Sequence, residues 1–140
     1  MKPDCDRIPL SFTQKISSRV EEAESLCLRI RGALVAAGLR GVAFRVELLA
    51  RECLANAINH GNRRNVDKSV ELRFAMGRKW IRLEVTDEGP GFAWRREQRR
   101  KRSTAATSGR GVELYSLYAE RVGFNRSGNR IRLWVSRKQI

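Results

Sequence analysis

Between Ser69 and Thr86 the chain alternates apolar and polar side chains in two short runs, and this pattern limits the available folds more than any other feature. Val70, Leu72, Phe74 and Met76 share one face of residues 69–76, and Ile81, Leu83 and Val85 share one face of residues 80–86. A period of two belongs to strands with one covered face. Gly77-Arg78-Lys79 separates the runs, so they read as a hairpin. An apolar hairpin face needs a second layer to cover it.

The flanking sequence supplies helices for that layer. From Lys15 to Ala37 apolar residues recur at Ile16, Val20, Ala23, Leu26, Cys27, Ile30, Ala33 and Leu34, a helical spacing, with Gly38 placed as a C-cap. A second helix is predicted over about Val42–His60, ended by Gly61 and Asn62. Residues 7–13 alternate around Ile8, Leu10 and Phe12 and predict an edge strand, because Pro9 cannot donate into a central ladder. Asp87–Ser108 has no periodicity and reads as a long loop, which inside a compact domain usually serves function. A third helix is expected from Gly111 to about Arg121, a short strand or turn at 123–125, and a last strand over Ile131–Val135. This order predicts an α+β fold, a two-layer α/β sandwich with a mostly antiparallel sheet and helices on one face. The 140 residues suit a single domain spanning 1–140.

Composition narrows the class. A hydrophobic content of 41% is too high for a disordered chain. No stretch reaches the roughly 18 to 20 apolar residues needed to span a bilayer. Residues 1–14 carry Lys2, Asp4, Asp6 and Arg7 and lack a signal-peptide apolar core, so the expectation is a cytoplasmic protein without membrane contact. Cys5, Cys27 and Cys53 form no Cys-x-x-Cys pair and read as small buried hydrophobes. His60 is the sole histidine, which excludes a His-rich metal site. The formal net charge of +14 attracts polyanions or acidic protein surfaces without choosing between them.

Three local patterns carry chemistry. Glu52, Asn56 and His60 are spaced by four and stack on one face of a regular helix, with Leu49, Cys53 and Ala57, or Leu54 and Ile58, on the apolar side. A carboxamide oxygen suits a hard cation such as Mg²⁺, and a carboxylate one turn away can take a proton from a hydroxyl. The same spacing also describes the solvated stripe of an ordinary amphipathic helix. Asp87-Glu-Gly-Pro-Gly91 follows a strand directly. Its carboxylate can accept from an exocyclic amine, and its glycines allow close backbone approach; a plain polar turn has the same composition. Ser108-Gly-Arg-Gly111 precedes a helix, where exposed amides and the helix N-terminus favour an anion. No Walker A loop is present.

Occurring in this order, the segments Glu47–Gly61, Asp87–Gly91 and Ser108–Gly111 resemble the N, G1 and G2 boxes of the GHKL ATPase superfamily, which has the Bergerat fold. The likeness covers nearly the whole chain and is greatest to the small anti-sigma-factor serine/threonine kinases of bacterial partner-switching systems. It implies ATP and Mg²⁺ as cofactors, Glu52 as general base, Asn56 as Mg²⁺ ligand and Asp87 as partner of the adenine amine. It also implies Gly89 and Gly91 lining the adenine pocket, and His60 flanking the nucleotide. Ser108, Gly109 and Gly111 would lie at the phosphates, with Arg110 near the γ-phosphate or a partner. The ATP lid would run from about 89 to 110. It is unusually basic, with Arg95, Arg96, Arg99, Arg100, Lys101 and Arg102 against Glu97, and Trp94 beside them. Where relatives carry Gly-Thr before the last strand, this chain has Ser127-Gly-Asn-Arg130, which puts a last-strand hydroxyl contact in question.

The resemblance implies phosphorylation of an anti-anti-sigma (STAS-type) antagonist, sequestration of a sigma factor or other transcription regulator, and a homodimer. A histidine-kinase reading lacks a phosphoacceptor histidine on a separate dimerisation helix. Gyrase-like mechanics need further domains. The alternatives are a catalytically silent ATP-binding partner switch and a charge-driven nucleic-acid binder. Direct nucleic-acid binding is not expected, because no helix-turn-helix or RNP motif is recognisable.

Overall fold

A computed structural model describes residues 10–91 and 110–138. Strand β1 (Leu10–Ser17) leads into helices α1 (Val20–Ala36) and α2 (Arg40–Asn56), and α2 continues as one π-helical turn over Ala57–Gly61. Strands β2 (Ser69–Met76) and β3 (Trp80–Thr86) form the expected hairpin. Helix α3 (Arg110–Tyr118) and strands β4 (Arg121–Phe124) and β5 (Arg130–Ser136) complete the described chain. The five strands lie in the order β1-β2-β3-β5-β4, and every neighbouring pair is antiparallel. The predicted α+β two-layer architecture is therefore the observed one.

The core forms between the inward face of the sheet and the apolar stripes of α1 and α2. Phe74, Leu72, Ile81, Leu83 and Leu133 from the strands are buried together with Leu26, Ile30 and Leu34 of α1 and Val42, Val46 and Leu49 of α2. Each such side chain removed from water contributes about 1.5–3 kcal/mol. Cys27 and Cys53 are buried free thiols, as their reading as small hydrophobes requires, and burial pushes them up to about 11 and about 12.

Two element boundaries differ from expectation. The strand predicted over 7–13 runs to Ser17, and the helix predicted from Lys15 begins at Val20. The cause is pairing: all of β1 lies opposite β2, from Leu10 against Met76 to Ser17 against Ser69. Ile16 fits a helical stripe and a strand equally well, and the ladder decides. Phe12 stacks on Phe74 directly across, with ring centroids 5.1 Å apart. Likewise the third helix ends at Tyr118 rather than near Arg121, because the Glu120 N–H donates to the Trp134 carbonyl at 2.9 Å and Arg121 pairs with Trp134 in the sheet.

The α1–α2 corner follows its glycine. Gly38 has φ +77°, its N–H donates to Val35 O at 3.0 Å, and the Leu39 N–H donates to Leu34 O at 2.9 Å. This is a Schellman stop, and it turns the chain back so that the two helices pack side by side. On their outer side Glu47, only 7% exposed, accepts from Arg31 Nε at 2.6 Å and lies 3.8 Å from Arg51, which also pairs with Glu24. Glu47, though it heads the N-box-like segment, thus clamps α1 to α2. Gly32, within α1, has nothing within 4 Å of an added Cβ. Gly32→Ala is expected to stabilise the protein by about 0.5–1 kcal/mol in urea denaturation, because it removes a helix-interior glycine without a clash.

Candidate functional site

The site begins where α2 changes its repeat. Asn62 N–H donates to Ala57 O at 2.8 Å, an i to i−5 bond that widens the last turn to π geometry. Glu52 and Asn56 lie before this turn, one regular turn apart and half-buried. In a π turn the residue stacked beneath position i is i+5. Gly61, not His60, therefore follows Asn56 along the stripe. The expected three-residue stack of Glu52, Asn56 and His60 is corrected to a pair, and His60 is exposed. Single π turns of this kind occur frequently at functional positions.

The widened turn delivers Gly61 to the end of β3. A Cβ on Gly61 would lie 2.3 Å from the Asp87 carboxyl, and a Cβ on Gly89 would lie 2.0 Å from the Gly61 carbonyl oxygen. Asp87 Oδ1 accepts the Gly89 N–H at 2.7 Å. On the other side, the Asp87 N–H donates to Asn129 O at 2.9 Å, and Asn129 Nδ2 donates to Asp87 O at 3.0 Å. The backbone of Asp87 is held from both directions while Oδ2 remains an acceptor. Burial pushes the Asp87 carboxyl up, partly offset by the Gly89 N–H and the charge of Lys68. Gly91, at φ +82°, comes so close to Ser127 O that a Cβ would lie 1.8 Å away. The glycines expected to admit a ligand thus also let the chain approach itself. The Ser127–Arg130 segment, which departs from the Gly-Thr pattern, replaces it with the Asn129 carboxamide on the backbone of Asp87.

Asn62 escaped the sequence reading, which took it only as a helix stop. It is 1% exposed; Nδ2 donates to Ser18 Oγ at 3.0 Å and to Ser69 O at 2.9 Å, and Oδ1 accepts the Glu88 N–H at 2.8 Å. One carboxamide thereby joins the start of α1, the start of β2 and the residue after Asp87. Asn62→Ala is expected to cost about 2 kcal/mol in urea denaturation, since it strands a buried donor and acceptor.

Helix α3 reaches the site through Tyr115. Asn56 Nδ2 donates to the Tyr115 hydroxyl at 2.7 Å, and Tyr115 is 3% exposed. Burial, with the neighbouring Cys53, holds the phenol neutral by raising it well above its ordinary range, partly offset by the Asn56 bond. With its amide nitrogen engaged, Asn56 keeps carbonyl Oδ1 as an acceptor. Arg110 and Gly111 begin α3, so the residues that close the G2-like segment sit on the helix fastened to Asn56. Ser108, Gly109 and the lid residues 92–109, with the basic run 95–102, lie outside the described residues.

An antiparallel sheet backed by helices, with a half-buried aspartate at a strand end and an asparagine on the neighbouring helix, has the architecture of an ATP-binding domain. A family model described as the histidine kinase-like ATPase domain matches residues 16–135, and the chain belongs to that family. Membership brings ATP binding and ATP-dependent, kinase-like chemistry. No curated protein matches the chain. Among the described residues no helix is long and apolar enough to cross a membrane.

Proposed function

We propose that this chain is a protein serine/threonine kinase of the anti-sigma-factor type, which phosphorylates an antagonist protein and, when that antagonist is phosphorylated, holds a transcription regulator. The observation that carries the reading is the fastening of Asn56 to α3 by Tyr115, on the helix whose final π turn brings Gly61 against a half-buried Asp87 with an open acceptor oxygen. The donor set suits a metal-bound purine nucleotide. Asp87 Oδ2 would receive the exocyclic amine, and Asn56 Oδ1, a hard oxygen donor, would hold Mg²⁺. The amides at Arg110 and Gly111, at the start of α3, would receive phosphate oxygens, as the G2-like segment that also holds Ser108 and Gly109 implies.

When bound, Mg-ATP would supply the phosphoryl group, and its metal would offset the developing negative charge. Glu52, one turn from Asn56, takes the proton of the incoming serine or threonine hydroxyl. Its carboxylate carries no hydrogen bond among the described residues, so it is free to do so. Tyr115 holds the Asn56 amide through its nitrogen, which leaves the oxygen for the metal. Asp87 fixes the base, and its own position is secured by Asn129 and Gly89.

The test uses a serine-bearing antagonist protein, Mg²⁺ and γ-labelled ATP. Wild type should label serine or threonine, and Glu52→Gln should lower transfer by about 100-fold or more while retaining ATP affinity. Undiminished transfer by Glu52→Gln would remove this residue as the base. Binding of ATP by wild type without any transfer would favour a silent switch.

A further inference from the structure

The sheet has a second face, and no described element packs on it. Its outward positions follow from the register. One row runs Ser11, Ala75, Arg82, Trp134, Arg121; the next runs Thr13, Arg73, Glu84, Arg132, Gly123; a third runs Lys15, Glu71, Thr86, Arg130. Among the described residues, Lys15, Arg73, Arg82, Arg121, Arg130 and Arg132 thus share a surface with only two carboxylates, Glu71 and Glu84. Glu84 is 3% exposed although it faces outward, because Arg132 Nε donates to it at 2.6 Å and Arg130 lies 3.8 Å away. Arg82 Nε is buried with no hydrogen-bond partner, and its row contains no acid.

The geometry points to this open face as the docking surface for an acidic face of a folded partner protein. A second copy of the chain is disfavoured there, since two such faces would meet with like charge. Guanidinium groups arranged in a plane suit carboxylates, which they bind in bidentate fashion. A nucleic acid is a poorer match on three counts. The cations spread in two dimensions rather than along a groove. Glu71 and Glu84 interrupt any path for phosphates. Of the two tryptophans on the described face, Trp134 already has Arg121 and Arg132 over its ring at 5.2 and 5.6 Å, and Trp80 stands in the outermost row opposite Ser136, outside the rows that carry the cations. From strand spacing and rise the face measures about 20 by 25 Å, or about 500 Å². That is below the about 800 Å² per partner of a standard interface and suits an exchangeable complex. The nucleotide residues belong to the helix-covered side and to the strand ends, so a partner on this face leaves them accessible. The surface stands on its own geometry. That its occupant is the antagonist or the held regulator rests on the proposed kinase function.

Two probes of matched charge test the assignment in near-physiological salt: a glutamate-rich peptide and an oligo-dT. Binding is followed by anisotropy and mapped by amide chemical shifts. Arg73→Ser/Arg82→Ser/Arg121→Ser leaves the Arg132–Glu84 pair intact. It should weaken the peptide about tenfold, and Arg121→Ser alone should weaken it in the same direction. Arg19→Ser/Arg40→Ser/Arg126→Ser removes the same charge elsewhere and should change binding by less than about twofold. Mg-ATP affinity should be unchanged in all. Equal weakening by both triple variants, or tighter binding of oligo-dT through the same residues, overturns the proposal. ATP binding without peptide binding at this face would sink the docking surface and leave the kinase reading. Peptide binding at the face without ATP binding would do the reverse.

Discussion

Asp87→Asn is expected to abolish nucleotide binding while leaving the fold intact. The Asp87 carboxylate has two acceptor oxygens. Oδ1 is engaged by the Gly89 N–H, and Oδ2 is the one assigned to the adenine amine. An asparagine there keeps one acceptor and replaces the other with an N–H₂ donor. With the carbonyl retained by Gly89, the donor meets the exocyclic amine donor to donor, in a half-buried place where water cannot easily compensate. Loss of ATP affinity by at least about 100-fold is expected in calorimetry. The fold should tolerate the change, because Asp87 is raised by burial: its folded value lies above the unfolded one, so the ionised form is the one the fold disfavours. Stability attributable to this group therefore rises as pH falls from above the raised value toward the unfolded one. Asp87→Asn, which does not titrate, should be at least as stable as wild type at neutral pH, and its advantage should shrink on acidification through that window. Retained ATP affinity in a folded Asp87→Asn would show that the adenine amine is not read by this carboxylate.

The parts of this protein that were legible in its sequence are those set by local periodicity. The hairpin at 69–86 and the last strand were, because alternation over seven or eight residues has no helical counterpart. The Gly38 stop was legible as well, since a glycine after a helical run has few other uses. The ends at Ser17 and Tyr118 were not, because the β1–β2 ladder and the Glu120–Trp134 bond decide them from far along the chain. The site divides in the same way. Glu52, Asn56 and Asp87 stood out through spacing and position. Tyr115, 59 residues from Asn56, and Ser18, 44 residues from Asn62, become neighbours only once the sheet is assembled. The π turn was hidden because Ala-Ile-Asn-His-Gly reads as plain helix until the contact of Gly61 with Asp87 is known. Net charge was visible as a total, whereas the gathering of Lys15, Arg73, Arg82 and Arg121 on one face required the strand register.

The junction between the π turn and the end of β3 makes the strongest structural demand on the sequence, and Gly89→Ala is expected to break it. The added Cβ would lie 2.0 Å from Gly61 O, 2.6 Å from Gly61 C and 2.9 Å from Asp87 Oδ1. The first two are backbone atoms and cannot rotate away. Gly61 cannot yield toward Asp87 either, since that carboxyl already fills the place where its Cβ would be. Relief requires the π turn to withdraw from the strand, which pulls on Asn62 and its bonds to Ser18, Ser69 and Glu88. A cost of about 3 kcal/mol is expected, the upper end for overpacking, with a fall in Tm of about 10 °C. ATP affinity should fall too, because the same movement separates Asp87 from the end of α2. Gly32→Ala, with open space around it, supplies the opposite sign in the same assay. If Gly89→Ala melted with wild type, the π turn would not be pressed against β3, and Asp87 would not be held beside the helix that carries Glu52 and Asn56.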